Sequence, residues 1–469
     1  MFVGRSDEKH MLTSSYDSSK SELAIIYGRR RIGKSILIQN FVQDKPSLSF
    51  EALENERTQE QIQHFTTQLK QQLNSALFAN LNFNNWEEAF SFLTEYSKTQ
   101  EQKLIIFFDE FQWMAAGRSK LVTLIKFYWD NQWKQQNIML ILCGSIASYM
   151  VNQVIKSKAL YGRSSLEIKL DELSPNECFT LLKNKRSWEE VLQYMLILGG
   201  IPKYLEEIDT SKSLSQNMNA LFFKRNSIFN NEFDKVFYAQ FKAPQKYRKI
   251  LSLLAKGPLT LDGVSINLKI TSGGSLKSYL DHLELSGFVR SQVPFGKKSN
   301  SKLKIYKLSD PYIIFYFKYI EPNINSIEDN SSRNLFKLLV EKHWQPWLGY
   351  RFESFCLKNH EHLARLMGFN EELISAAPYF EKHTLSASGF QIDLLFERAD
   401  KTITLCEVKY RNQPLDASII AEVEAKASKI HVPRGYTLEK AIVSLYGVDE
   451  KTESSGYFHH IVKAADLFE

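Results

Sequence analysis

Residues 28–35 have the types and spacing that suit phosphate binding. They are Gly-Arg-Arg-Arg-Ile-Gly-Lys-Ser, which matches G-x4-G-K-[ST] without a gap. Glycines let backbone N–H groups wrap phosphates, a lysine reaches the β- and γ-phosphates, and a hydroxyl binds Mg²⁺. We therefore predict a nucleotide site with Lys34 on the phosphates and Ser35 on the metal. The residues expected to line the nucleotide are Gly28, Arg29, Arg30, Arg31, Ile32, Gly33, Lys34, Ser35 and Ile36.

A pair of carboxylates, Asp109 and Glu110, follows the apolar run at residues 104–108. A carboxylate at the end of a buried parallel strand lies beside a phosphate loop, so Asp109 is expected to hold Mg²⁺. Glu110 is placed to orient or deprotonate the attacking water, which favours hydrolysis over binding alone. The alternative is a solvated acidic pair at the end of a strand.

Ser145 and Arg163 are further candidates for phosphate contact. Ser145 ends the next apolar run, which places it near the γ-phosphate, although a turn of small residues is the alternative. Arg163 could contact phosphate in its own chain or from a neighbouring subunit, which would require a homo-oligomer. Spacing alone favours a plain surface arginine.

A second group of charged residues lies on two apolar strands predicted at residues 390–396 and 402–409. Folding this hairpin about residues 399–400 places Asp393 roughly 5–8 Å from Glu407, close enough to share Mg²⁺ or Mn²⁺. Lys409 shares a strand face with Glu407 and would polarise a phosphate or lower the pKa of a water.

This D…ExK arrangement resembles that of PD-(D/E)xK nucleases, which use it for Mg²⁺-assisted phosphodiester hydrolysis. Glu353 matches the helical acid that many of these enzymes add to the metal site, whereas Ile392 replaces the proline of the signature. The alternatives are a salt-bridged pair of strands or a nuclease fold that has lost activity.

The elements that must position these residues predict an α/β protein with several domains. Short apolar runs alternate with helical patterns over residues 1–173, which indicates a parallel sheet covered on both faces. Residues 174–243 are helical throughout and form a lid. Residues 244–320 contain three helices and a hairpin, a winged helix-turn-helix. A polar linker is predicted at residues 321–334, and a separate α/β unit at residues 335–469.

The winged-helix region carries the positive charge of the chain. Residues 241–310 contain 13 Lys or Arg and 4 Asp or Glu, a net charge of +9 in a chain whose total is +6. The remainder therefore carries −3. A basic loop with Lys297, Lys298, Lys302 and Lys304 suits a phosphate backbone, so we predict DNA as a partner. The alternative is a protein-docking module with a solvated basic face.

Composition sets the outer limits on function. The chain has 469 residues, more than one hydrophobic core usually supports, and 43% of them are hydrophobic. The four cysteines are far apart in the sequence and form no CxxC pair, so we expect neither a structural zinc site nor a disulfide framework. The longest apolar runs have five or six residues, whereas a membrane helix needs about 20. We therefore expect a cytoplasmic protein with no membrane partner.

The motifs together resemble the archaeal-type ATPases, a branch of the AAA-like, STAND-related P-loop NTPases. The resemblance is carried by the phosphate loop and by matches at residues 2–5, 108–111, 143–145, 161–163 and 199–204. It implies ATP as the nucleotide, with Gly4 and Arg5 near the adenine and Pro202 closing over the base. It also implies that Ser145 is a sensor residue and that Arg163 senses the γ-phosphate.

The sequence thus predicts a Mg²⁺-dependent ATPase that binds DNA and carries a nuclease-like C-terminal domain, and the class suggests defence or nucleic-acid processing. Two alternatives stay open: an ATP-dependent regulator that holds DNA without cutting it, and a signalling switch whose winged helix binds protein. The predicted catalytic residues are Lys34, Glu110 and Arg163 for ATP hydrolysis and Lys409 for DNA cleavage. The predicted metal ligands are Ser35 and Asp109 at the nucleotide and Glu353, Asp393 and Glu407 at the C-terminal site.

Overall fold

The computed structural model describes residues 2–117, 119–182, 185–241, 243–271, 273–293, 295–296, 301, 303–329, 333–381 and 390–469. The chain divides into two compact units. Unit 1 consists of the residues up to Leu173 together with Ile201–Lys203, and unit 2 consists of Ser174–Gly200 and Tyr204–Glu469. Unit 1 is therefore built from two separate stretches of the chain.

Unit 1 alternates strands with helices. Its strands are β1 (Glu22–Tyr27), β2 (Ser47–Glu51), β3 (Leu104–Asp109), β4 (Ile138–Gly144) and β5 (Leu166–Lys169). Its α-helices are α1 (Ser6–Tyr16), α2 (Lys34–Val42), α3 (Thr58–Leu73), α4 (Trp86–Lys98), α5 (Phe111–Met114), α6 (Leu121–Asn131) and α7 (Ala147–Tyr149). Short 3₁₀ turns lie at Ala76–Phe78 and Trp133–Gln135, and a π-helical turn lies at Met150–Ile155.

The five strands of unit 1 form one parallel sheet in the order β2-β3-β4-β1-β5. Strands β3 and β4 are buried along their whole length, because apolar cores lie on both faces of the sheet. The predicted α/β class is confirmed. Since all strands run the same way, the loops that follow β1, β3 and β4 lie at one edge of the sheet.

Unit 2 begins with helices. They are α8 (Pro175–Leu181), α9 (Trp188–Leu198), α10 (Pro202–Leu205, whose first residues belong to unit 1), α11 (Leu214–Phe222) and α12 (Glu232–Gln240), with a 3₁₀ turn at Ile228–Asn230. Helix α8 starts at a capping box in which Ser174 and Glu177 satisfy each other's backbone N–H groups. The described residues of 174–243 thus form helices and turns, and the role of this stretch as a lid stays a prediction.

The basic region folds into three helices and a small antiparallel sheet. The elements are α13 (Pro244–Leu254), β6 (Leu259–Thr260), α14 (Leu261–Leu268), α15 (Gly274–Leu285), β7 (Val289–Gln292) and β8 (Ile305–Leu308). The strand order is β6-β8-β7. Helix α15 buries Leu276, Leu280 and Leu283, the apolar positions that its sequence spacing indicates.

The C-terminal part of unit 2 surrounds a mixed five-stranded sheet. Five helices come first: α16 (Pro311–Phe315), α17 (Ile324–Glu328), α18 (Leu335–Leu339), α19 (Trp344–Lys358) and α20 (His360–Leu366). The sheet and its remaining helices are β9 (Leu373–Glu381), β10 (Phe390–Arg398), β11 (Thr402–Lys409), α21 (Ser418–Ala427), β12 (Thr437–Ser444), α22 (Glu450–Ser454) and β13 (His460–Lys463). Helical turns lie at Tyr316–Ile320, Glu321–Asn323, Glu341–His343 and Ala464–Phe468.

The strand order of this sheet is β13-β12-β11-β10-β9. Strands β9, β10 and β11 are antiparallel neighbours, whereas β11, β12 and β13 are parallel. Helix α21 connects the parallel strands β11 and β12, as a crossover must. The predicted hairpin is therefore present, and its register pairs Leu394 with Cys406.

The predicted linker at residues 321–334 is wrong for its first part. Residues 321–323 form a helical turn and residues 324–328 form helix α17. Ile327 is fully buried, so its apolar side chain anchors this stretch despite the polar residues around it. Residues 330–332 of the predicted linker lie outside the described residues.

Candidate functional site

The phosphate loop joins strand β1 to helix α2, which begins at Lys34. Gly33 precedes it with a φ of +86°, a conformation that glycine adopts without strain. At Gly28 a Cβ atom would lie 2.3 Å from the carbonyl oxygen of Leu170, so a larger residue cannot replace it. The Lys34 side chain is buried and its Nζ donates to the carbonyl oxygen of Arg29 at 2.8 Å.

Asp109 ends strand β3 and lies near Ser35 at the start of α2. Its carboxylate is buried, and its Oδ1 accepts a hydrogen bond from the backbone N–H of Glu110 at 2.9 Å. Burial raises the pKa of Asp109 above its usual value, the nearby Ser35 side chain opposes that shift, and the charge of Glu110 adds to it. The two residues predicted to hold Mg²⁺ are thus close together.

Glu110 is held at the same edge by a network of side chains. Its backbone has a φ of +49°, which is uncommon for a residue with a side chain. Its Oε2 accepts from Ser145 Oγ at 2.6 Å and also from Gln112 Nε2. Gln112 Oε1 in turn accepts from the backbone N–H of Ser145 at 3.2 Å. The structure therefore brings Ser145 and Glu110 together, as neighbouring strand ends predict.

Gln112 is a site residue that the sequence analysis missed. It lies on the short helix α5, buried against the end of β4. A Cβ atom at Gly144 would lie 2.5 Å from Gln112 Oε1, so the glycine makes room for the glutamine. Gln112 lies close to the acidic pair in the sequence, which could have drawn attention to it, but no known motif spacing assigns a role to a glutamine at this position.

Arg5 braces the phosphate loop. Its guanidinium donates to the carbonyl oxygens of Ile32 at 3.2 Å and Asp171 at 2.6 Å, and it pairs with Glu8 at 3.2 Å. Gly4 precedes it with a φ of +66°. Pro202 Cγ lies 4.0 Å from the position of a Cβ at Gly33, so it is a neighbour of the loop.

Arg163 contacts an acidic side chain. Its Nε and Nη2 donate to the two carboxylate oxygens of Asp130 at 2.7 and 2.9 Å. This bidentate pair lowers the pKa of Asp130. The structure thus places the guanidinium in a pair on the surface, and its role in sensing phosphate stays a prediction. Of the other loop residues, Ile32 is buried whereas Ile36 is exposed.

In unit 2, Asp393 lies on β10 at an irregularity in its pairing with β9, between Ile392 and Leu395. Its Oδ2 accepts from the backbone N–H of Val408 on β11 at 3.0 Å. Burial raises the pKa of Asp393 to about 7, and the charges of Glu407 and Glu353 push it the same way. The hairpin therefore brings the predicted carboxylates within electrostatic range of one another.

Glu407 is 1% exposed and is bonded by two lysines. Its Oε1 accepts from Lys409 Nζ at 2.8 Å and from Lys426 Nζ at 2.5 Å. Its Oε2 has no hydrogen-bond partner in the part of the chain that the structure describes. Lys426, on α21, was missed by the sequence analysis because only the crossover brings it to the sheet.

The predicted metal ligands of unit 2 lie near one another but are not arranged as a metal-binding site. Burial and the charge of Glu407 raise the pKa of Glu353 on α19. Even so, no three His, Cys, Asp or Glu side chains of the described residues are grouped in a way that could hold a metal ion. Binding of a metal by Glu353, Asp393 and Glu407 therefore stays a prediction.

The basic hairpin is described only in part. Lys297, Lys298 and Lys302 of the predicted basic loop lie outside the described residues. On α15, His282 does not present a free ring, because its Nδ1 lies 2.8 Å from the hydroxyl of Tyr247.

Comparisons with known proteins agree with the geometry of unit 1. Residues 2–208 match a family described as an ATPase domain found predominantly in Archaea. These residues belong to an archaeal-type ATPase family. The archaeal-type ATPase match includes the phosphate loop, the acidic pair, Ser145 and the Ile201–Lys203 segment of unit 1. The resemblance inferred from the motifs is confirmed.

Beyond the ATPase region, residues 316–427 match a family of archaeal and bacterial proteins of unknown function. An uncharacterized protein of Methanocaldococcus jannaschii is 28% identical over 418 residues, 88% of either chain. An uncharacterized ATP-binding protein of the same organism is 44% identical over 45 residues, which are 10% of this chain and 76% of that protein.

Among solved structures, the Walker-type ATPase of Pyrococcus abyssi is similar to this chain. It has a TM-score of 0.50 and 19% identity, and the match covers 67% of this chain and 96% of that one. At this identity the likeness shows the fold alone. Within the described residues, no helix is both long and apolar enough to cross a membrane.

Proposed function

We propose that this archaeal-type ATPase hydrolyses ATP with Mg²⁺ in unit 1 and acts on DNA through unit 2. The observation that carries the first half is the closeness of the Ser35 and Asp109 side chains at the phosphate loop. A hydroxyl and a carboxylate are oxygen ligands of the kind that Mg²⁺ prefers. When bound, Mg²⁺ supplies charge neutralisation on the phosphates of ATP.

The residues of unit 1 divide the work of hydrolysis. Lys34 exchanges the Arg29 carbonyl oxygen for phosphate oxygens, which are stronger partners for an ammonium group. Glu110 accepts the proton of the attacking water. We assign its Oε1 to that water, because both described bonds, from Ser145 and Gln112, go to Oε2.

Binding of DNA is supported by the charge and the elements of residues 241–310. This region has a net charge of +9, whereas the rest of the chain carries −3. We interpret helices α13–α15 and strands β6–β8 as a winged helix, with α15 and the basic loop facing nucleic acid. Phosphate contacts from such a region supply most of the affinity of non-specific binding.

For the C-terminal carboxylates we propose metal-dependent phosphodiester cleavage. Glu407 Oε2 is enclosed without a partner, and an unsatisfied buried carboxylate oxygen is costly unless a cation arrives. Asp393 and Glu353 are the further ligands of that cation, and Lys409 acts on the phosphate and the water. Rotation of a carboxylate and loss of one lysine bond would be needed to complete the site.

A second candidate function is an ATP-dependent regulator whose C-terminal domain does not cut. The observation in its favour is the pair of lysines, Lys409 and Lys426, that bond the same oxygen of Glu407. Two ammonium groups offset the charge that would otherwise attract a metal ion. In this case unit 2 binds nucleic acid without cleaving it, and ATP hydrolysis controls that binding.

Cleavage of DNA with and without ATP separates the two candidates. The wild-type chain is incubated with single- and double-stranded DNA in Mg²⁺ or Mn²⁺, alongside Asp393→Ala and the control Glu371→Ala, an exposed carboxylate near β9. Cleavage by wild type and control but not by Asp393→Ala, with ATP hydrolysis retained in all three, supports the nuclease. Absence of cleavage in every protein, with DNA still bound, supports the regulator.

A further inference from the structure

Two arginines lie within electrostatic range of Lys307 where the β7–β8 hairpin lies against helix α19. Arg290 and Lys307 are direct partners across the two antiparallel strands, so their side chains share one face. Like charges in such a pair destabilise a sheet. Arg290 Nη1 donates to the carbonyl oxygen of Leu357 at 3.2 Å, which fixes the hairpin against the last turn of α19.

The third cation is Arg351, which lies on α19 itself. It is 4% exposed, and it makes no hydrogen bond or ion pair with any residue that the structure describes. Its Nε is completely enclosed without a partner. Burying a guanidinium without a partner is expensive, because the group gives up its water and gains nothing in return.

The surrounding acids do not neutralise this cluster of Arg290, Lys307 and Arg351. Lys307 lies within electrostatic range of both arginines and of Glu353. Glu284 and Glu361 lie within range of Arg290. No carboxylate of the described residues forms an ion pair with any of the three cations, so an anion is missing from the arrangement.

We propose that the Arg290–Lys307–Arg351 cluster binds a phosphate monoester. Guanidinium groups bind phosphate through paired N–H donors, and a lysine adds a compact point charge. A monoester carries close to two negative charges at neutral pH, which suits three cations better than a singly charged carboxylate or phosphodiester.

Two sources carry this chemistry: the phosphorylated end of a nucleic-acid strand, and free inorganic phosphate. We favour the strand end, a choice that rests on the proposed function. Glu353 is within electrostatic range of both Lys307 and Glu407, so a strand end held by the cluster would place its neighbouring phosphodiester toward the carboxylates. The monoester site itself does not depend on cleavage.

The test uses the full chain carrying Lys34→Ala, so that the phosphate loop does not take up the probe, in EDTA, so that no metal-dependent cleavage occurs. Binding is measured by fluorescence anisotropy for one oligonucleotide with a 5′-phosphate, a 3′-phosphate or only hydroxyl ends. Inorganic phosphate alone is tested as a competitor and by its effect on the melting temperature. Arg351→Gln and Lys307→Gln are compared with Lys342→Gln, an exposed lysine.

We expect at least tenfold tighter binding of one phosphorylated oligonucleotide than of the hydroxyl-ended one. That preference should disappear in Lys307→Gln and Arg351→Gln and persist in Lys342→Gln. If phosphate alone raises the melting temperature and does so only with the cluster intact, the site takes free phosphate. Equal binding of all oligonucleotides together with no effect of phosphate overturns the proposal, as does an unchanged preference in Lys307→Gln, which is only half-buried. These outcomes are independent of whether the chain cleaves DNA.

Discussion

Glu110 combines an uncommon backbone conformation with a carboxylate that is tied down by its neighbours. Strain of this kind, at a φ of +49°, persists where the surrounding structure holds it. Here Ser145 and Gln112 do so from the end of β4 and from α5. The arrangement fixes the proposed proton acceptor relative to the two neighbouring strand ends, which a mobile surface glutamate could not achieve.

Replacing Glu110 by Gln tests its role as the general base. The amide keeps the shape of the side chain but cannot accept the proton of the water, so we expect ATP turnover to fall by about 10²–10⁴-fold with nucleotide binding retained. Turnover is measured by phosphate release, and binding by titration with a fluorescent nucleotide. Glu54→Gln, an exposed residue of the same unit, is the control. Turnover within twofold of wild type would remove Glu110 from the mechanism.

Asp393 predicts a dependence of stability on pH. Its pKa is about 7 in the folded chain against an ordinary value of 3.8, so the folded state holds the proton more tightly. The free energy of unfolding of unit 2 should therefore fall as pH rises from about 4 to about 7. Asp393→Asn should flatten this fall.

Hydrogen exchange of the β10 and β11 amides in EDTA, corrected for intrinsic rates at each pH, measures this effect. Glu371→Gln serves as the matched carboxylate control and should behave as wild type does. An identical pH profile for wild type and Asp393→Asn would show that the carboxyl ionises in the folded chain as it does in the unfolded one.

Among the secondary-structure elements, the sequence predicted best the strands in which every residue is buried. Strands β3 and β4 are uninterrupted apolar runs, and their position beside the phosphate loop follows from parallel topology. Strand β9 was missed because Pro378 and two alanines weaken its strand pattern. Helix α17 was missed because one buried residue, Ile327, anchors a polar stretch.

The same contrast holds for the candidate sites. The residues of the phosphate loop and the hairpin carboxylates are close to one another in the sequence, so their spacing was enough to predict each group. Gln112 and Lys426 reach the sites only through contacts between elements that the fold brings together. The spacing of residues in the sequence does not predict such contacts. The lack of a partner for Arg351 also depends on burial, which a sequence does not state.

The basic loop between β7 and β8 is the element to test for DNA binding. We expect its neutralisation to weaken binding to all sequences and to reduce the salt slope by up to about 0.9 for each phosphate group that the loop no longer neutralises. The measurement is the dissociation constant for duplex DNA at several salt concentrations. The residues to be changed to Gln together are Lys297, Lys298, Lys302 and Lys304.

The control for that experiment removes the same charge elsewhere. The exposed lysines to be changed together are Lys224, Lys337, Lys342 and Lys451. An equal fall in affinity in both quadruple variants would mean that only net charge matters. Unchanged affinity and slope in the loop variant would favour the protein-docking interpretation of this region.

At the scale of the molecule, the two kinds of candidate chemistry are in different units. The phosphate loop, Asp109 and Glu110 belong to unit 1, whereas the hairpin carboxylates and the cationic cluster belong to unit 2. Any influence of ATP on nucleic acid must therefore pass from one unit to the other. The chain itself crosses between them after Leu173, after Gly200 and after Lys203.

These crossings also set an order of events during synthesis of the chain. Domains generally fold as the chain emerges from its N-terminal end. All five strands of the unit 1 sheet are complete at Lys169, so the sheet can form before Ile201–Lys203 leave the ribosome. Pro202 then joins the phosphate loop only after the helices at 175–198 have been made. The nucleotide site should therefore mature late, when the first helices of unit 2 already exist.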